Sequence, residues 1–177
     1  MNPKTEIAHP ARWQDDLYDE LRRSDITQFA YVPDAGHSVL IARSLADRDV
    51  HSIRLTTEEE GVALLAGADL GGRRGVLLMQ SSGVGNCINM LSLTKGSRFP
   101  FLTLVSMRGE FGEGNPWQFA MGQAVEPVLA AMGVICLRAE RPEDVIPTTK
   151  AAITMVFQSG QAVAVLLTQK LIGAKKF

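Results

Sequence analysis

The chain has 177 residues, 46% of them hydrophobic and 21% charged, with a formal net charge of −1, the size and composition of one globular domain around a single core. Near-zero charge offers no basic surface for nucleic acid or an anionic membrane, and two cysteines, Cys87 and Cys136, without CxxC spacing supply neither a disulfide framework nor a metal-ligand set. No window approaches the roughly 18 apolar residues of a spanning helix, and MNPKTEIAHPARWQDD has no signal-like apolar stretch, so a soluble, cytoplasmic protein is expected.

Residues 11–23 place Trp13, Leu17 and Leu21 at four-residue steps, one stripe of an amphipathic helix. FAYVP (29–33) reads as a strand closed by proline, PDAGHS as a loop, and VLIARSLADR as a helix. HSIRLT (51–56) alternates like a strand and leads into Glu58, Glu59 and Glu60. From there EEGVALLAGADLGG reads as a helix of small residues stopped by Gly71 and Gly72. GVLLMQ (75–80) is apolar enough for a central strand. SSGVGN is then a turn, and CINMLSLTKG a helix. A strand at 99–106, a Gly-rich loop RGEFGEGNPW, a helix at 119–133, a strand at 134–139, a helix at 142–160 opened by Pro142, and a strand at 161–169 complete the chain. The alternation predicts an α/β three-layer sandwich, a mainly parallel sheet of about six strands with helices on both faces. Ligands in such folds bind beyond the carboxyl ends of the strands, which puts PDAGH, TTEEE, SSGVGN and RGEFGEGNPW on one edge.

Each loop has a plain conformational reading beside a chemical one. SSGVGN fails as a dinucleotide fingerprint because Ile88 stands where a third glycine is needed, though Gly83 and Gly85 still allow a ligand close to the backbone. The three glutamates suit a helix N-terminus. Among them Glu59 is expected to turn inward, since Val62 and Ala63 lie three and four residues on, and a buried carboxyl there would hold a proton near neutrality. Asp34 and His37 are candidates for positioning a substrate or moving protons, or are simply turn residues. Arg108 is a candidate partner for an anionic substrate, or a solvated loop cation.

TTEEEGVALLAGADLGG, LLMQSSGVGNCINML and RGEFGEGNPWQFAMGQAVEPVLAAMGV together resemble the pyrimidine-binding domain of thiamine diphosphate enzymes. More narrowly, they resemble the alpha subunit of sulfopyruvate decarboxylase and the corresponding half of phosphonopyruvate decarboxylase. The resemblance implies that residues 1–177 form one pyrimidine-binding domain, with Glu59 sharing a proton with N1′ of the aminopyrimidine. It also implies that Ser82, Gly83, Gly85 and Asn86 line the cofactor, in a segment where many relatives carry proline in place of Val84. Asp34, His37 and Arg108 would frame a small 2-oxo acid, with His37 returning a proton after CO2 leaves. The chain contains no GDG segment to hold diphosphate and Mg2+. The implied enzyme is therefore a two-subunit decarboxylase in which a beta subunit carries the diphosphate and Mg2+ domain, and self-association of this chain is expected as well. The contact is expected at helix 61–71 and the apolar helix 86–93. A noncatalytic α/β nucleotide- or partner-binding module and a thiamine diphosphate carboligase subunit are the rival readings.

Overall fold

The computed structural model describes residues 13–174; Ala11 and Arg12 of the first expected helix lie outside them. Helix α1 (Trp13–Arg23) buries Leu17 and Leu21 as its stripe requires, and ends where Asp25 takes a left-handed conformation, φ 61°. Strand β1 (Ile26–Tyr31) leads through a short 3-10 turn at Ala35–His37 into α2 (Ser38–Ala46). Then follow β2 (His51–Arg54), α3 (Glu58–Leu70) and β3 (Arg74–Gln80). Helix α4 (Ser81–Cys87), α5 (Ser92–Ser97) and β4 (Phe101–Ser106) come next, then α6 (Trp117–Ala131) and β5 (Ile135–Ala139). Helix α7 (Pro142–Phe157), β6 (Ala162–Leu167) and a short α8 (Gln169–Ile172) close the described chain.

All six strands are parallel, in the order β2-β1-β3-β4-β6-β5. The interior of β3 and every residue of β4 are buried, as a strand covered on both faces must be. One core layer joins the sheet to α1 and α7 through Leu17, Leu21, Phe29, Val145 and Val156. The other joins it to α3, α4 and α6 through Val62, Leu65, Leu77, Cys87, Val125 and Leu129. The small residues of α3 let it sit close to β3: a Cβ on Gly61 would lie 2.5 Å from Leu77 Cδ1, and one on Gly75 only 2.4 Å from Leu65 Cδ2.

Element boundaries depart from expectation in at least four places. β1 begins at Ile26 rather than 29, because Ile26 and Gln28 pair with β3 across a register shift at Thr27, and the half-buried Thr27 and Gln28 break the apolar run. SSGVGN is not a turn but the helix α4 itself, starting directly at the end of β3. The expected single helix over 87–96 is broken by a turn over 88–91, from which 3-10-type bonds from Ser92 N–H to Asn89 O and from Leu93 N–H to Met90 O lead into α5. The last strand stops at Leu167, where Thr168 caps α8 by accepting from Leu171 N–H.

The chain runs from β1 outward to β2, crosses back to β3, and continues the other way, so the order reverses between β1 and β3. That is where open α/β sheets leave a crevice. Among the described residues no helix is long and apolar enough to cross a membrane.

Candidate active site

Register brings Gln80, Ser106 and Leu167 to the same level at the carboxyl edge, two residues beyond the Tyr31–Leu78 pair, and side chains bridge the crevice there. Asp34 Oδ2 accepts from Gly36 N–H at 2.9 Å and from Ser106 Oγ at 2.6 Å, while Oδ1 accepts from Gln80 Nε2 at 3.2 Å. Ser82 Oγ donates to Gln80 Oε1 at 2.8 Å, so a continuous relay links the start of α4 to the loop after β1. Burial raises the Asp34 carboxyl, but hydrogen bonds from Ser106 and Gln80, the neighbouring His37 and the Gly36 N–H outweigh it and hold the group below its ordinary value. Asp34 is therefore an ionised anchor rather than a base.

Removing the Ser106 hydroxyl tests that anchor. Ser106→Ala is expected to lower the unfolding free energy at pH 7 by about 1.5 kcal/mol, the low end for a charged hydrogen bond because Asp34 is only half-buried. Since the folded-state pKa of Asp34 is depressed, this contribution is present above the unfolded value near 3.8 and fades as pH falls through the folded one. Urea titrations carried from pH 7 down past the folded-state value should show the parent–variant gap narrowing; a gap that stays constant over that whole range would contradict the assignment.

His37 does not line the crevice. Its ring is fully buried, Nε2 lies 3.1 Å from the Met79 carbonyl oxygen, and Nδ1 is buried without a partner among the described residues. Burial pushes its pKa down, against the opposing pull of Asp34 and the Met79 carbonyl. A neutral imidazole donating from Nε2 beneath the sheet edge lies outside the walls of the cavity between Asp34, Ser106 and Arg108, where the expected proton-returning and substrate-binding roles would need it. His37 supports the 34–38 loop from below.

Arg108 is not a free cation. Its Nε and Nη2 donate to Glu113 Oε2 and Oε1 at 2.6 and 2.7 Å, with the two side chains 8% and 0% exposed. Glu113 also accepts from Gly109 N–H, Asn115 N–H and Gln169 Nε2. The Arg108 bonds hold Glu113 well below the usual carboxylate range. Asp34, Ala35, Gly36, Ser106 and Arg108, with Ile172 and Gly173 of the C-terminal turn, enclose a cavity of about 120 Å³.

The three consecutive acids take three different environments. Glu60 is exposed, and its Oε2 accepts from Thr56 N–H at 2.9 Å across the start of α3. Glu58, not Glu59, is the buried acid, 8% exposed, with Oε2 accepting from Asn86 Nδ2 at 2.7 Å. Glu59 is half-buried because Ala63, one turn on, faces outward instead of into the core. Glu58 has Gly61, Val62 and Leu65 at three, four and seven residues on, all buried; that fuller spacing was the signal for it. Both acids reach the same part of α4: the Cys87 thiol is pushed up to about 12 by burial and then by the charges of Glu58 and Glu59. Among the described residues there is no cluster of three or more His, Cys, Asp or Glu able to hold a metal ion.

No protein-family model matches the chain. It is similar in structure to 2-oxoglutarate:ferredoxin oxidoreductase from Magnetococcus marinus, with a TM-score of 0.72 and 17% identity over 90% of this chain and 29% of that one. It is likewise similar to a protein from Mycobacterium smegmatis assigned as a thiamin diphosphate-dependent enzyme, with a TM-score of 0.67 and 17% identity over 90% of this chain and 31% of that one. The fold is thus one that occurs as a part of larger proteins. Sequence is more specific. The chain is 33% identical over 151 residues, 85% of its length and 89% of the relative's, to the sulfopyruvate decarboxylase subunit alpha of Methanocaldococcus jannaschii. It is also 35% identical over 116 residues, 64% of its length but 29% of the relative's, to the phosphonopyruvate decarboxylase of Streptomyces viridochromogenes. The chain belongs to the family of sulfopyruvate decarboxylase alpha subunits.

Proposed function

We propose that the chain is the alpha subunit of a cytoplasmic, two-subunit thiamine diphosphate-dependent decarboxylase. Its substrate is a small anionic 2-oxo acid of the sulfopyruvate or phosphonopyruvate kind, split into CO2 and an aldehyde. The observation that carries this reading is the placing of Glu59, half-buried at the start of α3 and within electrostatic reach of Cys87 on α4. In that turn the hydrogen bonds from Asn86 and from Thr56 go to its neighbours Glu58 and Glu60. A carboxyl at a rim, beside the start of α4, fits an aminopyrimidine edge. Glu59, Ser82, Gly83, Gly85 and Asn86 would hold that ring.

When bound, the cofactor supplies the carbanion that adds to the 2-oxo carbon and the sink for the electrons released with CO2. The chain's own residues do the rest of the work argued here. Glu59 holds the proton shared with the pyrimidine N1′. The Asp34–Gln80–Ser82 relay fixes the substrate-side loop relative to α4, and the Asp34, Ser106 and Arg108 cavity receives the 2-oxo acid. Because Glu113 matches the Arg108 charge and Asp34 is held ionised, the added positive charge needed for an anionic substrate comes from the partner subunit. Residues 1–177 act as one pyrimidine-binding domain. The partner supplies the diphosphate and Mg2+ domain, a division supported by the name of the alpha-subunit relative and by the greater length of the phosphonopyruvate decarboxylase. The outward side of α3 and exposed Ile88 beyond α4 give the contact face of a hetero-oligomer in which the chain also self-associates.

Titration calorimetry with thiamine diphosphate and Mg2+ checks this. The chain alone should bind weakly, and its complex with a beta subunit should present a tight site. Aldehyde release is then measured with sulfopyruvate, phosphonopyruvate and pyruvate in parallel. A complex that binds no cofactor ends the reading; one that binds it but joins two 2-oxo acids without releasing aldehyde makes the chain a carboligase subunit.

A further inference from the structure

We infer that Glu58 is the positioning residue for the reaction: by filling the space left open at Gly83 and holding Asn86, it sets the direction in which Glu59 presents its carboxyl. The inference rests on the functional reading above and concerns how this chain alone prepares its acid.

Glu58 and Glu59 are successive residues of the first turn of α3, so their side chains leave the axis about 100° apart. Fixing one fixes the sector available to the other. Glu58 is held on three sides. Its backbone belongs to a 13-residue helix. Its Oε2 accepts from Asn86 Nδ2 at 2.7 Å, a link between residues 28 apart in sequence. Its carboxylate occupies the place where a side chain at 83 would begin: a Cβ there would lie 2.5 Å from Glu58 Cδ and Oε1 and 2.6 Å from Cγ. No real Cβ sits that close to a carboxylate, so glycine at 83 and glutamate at 58 are a matched pair. The missing Cβ of Gly83 faces Glu58, which gives this glycine a reason independent of any ligand. Glu58 is packed and already bonded, without the open approach that a ring nitrogen needs, whereas Glu59 stands at the rim. Glu58 thus contacts α4 at both Gly83 and Asn86.

The roles separate by substitution because a positioning residue depends on reach and shape while a proton-sharing one depends on ionisation. In the complex reconstituted with its beta subunit, Glu58→Ala should lower kcat by about 10- to 100-fold, the range for loss of a supporting partner. KM for the 2-oxo acid should move less than about threefold. Glu58→Asp keeps the charge but falls short of Asn86, and should be nearly as damaged. Glu58→Gln keeps length and acceptor oxygen and should recover most of the loss. Gly83→Ala should also lower kcat, and should do so far less when Glu58→Ala has already vacated the space. Calorimetry for the cofactor and a thermal melt accompany each variant, so that loss of fold is seen as such. The double variant supplies the answer if Glu58→Ala alone does not fold.

Recovery in Glu58→Gln together with relief of Gly83→Ala by Glu58→Ala supports the assignment. It is overturned if Glu58→Ala stays within about threefold of the parent, or if Glu58→Gln is as inactive as Glu58→Ala while binding cofactor normally, which would make Glu58 the proton-sharing acid. Absence of cofactor binding in the unaltered complex is a different result, and overturns the functional reading instead.

Discussion

Glu59→Gln should lower kcat of the reconstituted complex by about a hundred- to ten-thousand-fold, the range in which a single positioned acid or base contributes, while the cofactor remains bound. The amide keeps the size of the side chain and its place on the first turn of α3, and its N–H can hydrogen-bond N1′, but it cannot transfer a proton there. The loss should therefore fall on kcat and kcat/KM alike, the signature of an interaction made during reaction and not on binding. The neighbours serve as internal controls. Glu60→Gln touches an exposed residue that closes the start of the helix through Thr56 N–H, and its cost should be limited to stability. Steady-state rates with calorimetric cofactor affinity decide the matter. Activity of Glu59→Gln within a few fold of the parent would remove Glu59 from the chemistry.

The sheet was legible because its central strands are buried on both faces, which forces unbroken runs such as VLLM and FLTLVS between helical segments. The edge of the sheet on which ligands gather was legible for the same reason: alternation of strand and helix orients every strand the same way. What sequence spacing missed lies where tertiary contacts overrule local pattern. Glu59 shares a face with Val62, but the outward Ala63 shows that the face is a flank, and the deeper row through Gly61, Val62 and Leu65 belongs to Glu58. Arg108 read as a free cation because Glu113 is five residues away across a loop of glycines. Only the left-handed Gly109 and Gly112, φ 75° and 71°, fold the loop back so that the two meet. His37 carries no sequence mark of its depth; it is buried because the 3-10 turn Ala35–His37 tucks the ring under Met79. The Ser82–Gln80–Asp34–Ser106 relay joins residues up to 72 apart, a proximity that follows from strand order and from no local motif.

Glu113→Ala should lower unfolding free energy by about 3–5 kcal/mol, the cost of breaking a buried ion pair from one side. Against a total of about 5–15 kcal/mol for a domain, that is a large fraction. The carboxylate is a hub. It takes two bonds from Arg108 and one each from Gly109 N–H, Asn115 N–H and Gln169 Nε2, so its removal strands a guanidinium that is only 8% exposed and releases loop 107–116 at both ends. A Cβ on Gly109 would lie 2.3 Å from Gln118 O, and one on Gly122 lies 2.1 Å from Arg108 O, so the loop backbone is pressed against α6 with no slack to take up the gap. The pH dependence has a definite sign. Hydrogen bonds from Arg108 hold the Glu113 pKa well below its ordinary 4.5, so its contribution is complete above about pH 4.5 and is lost as pH falls towards the folded-state value. The parent should therefore lose stability steeply below pH 4.5, and Glu113→Gln, which keeps one acceptor but cannot titrate, should be weaker at pH 7 and flatter in acid. Urea unfolding from pH 7 to pH 3 measures both. In the complex, KM for the 2-oxo acid should rise, because Arg108 forms one wall of the cavity that Asp34 and Ser106 complete. A cost below about 1 kcal/mol at pH 7, with an unchanged acid slope, would mean that loop 107–116 is held by its backbone contacts with α6 and not by this carboxylate.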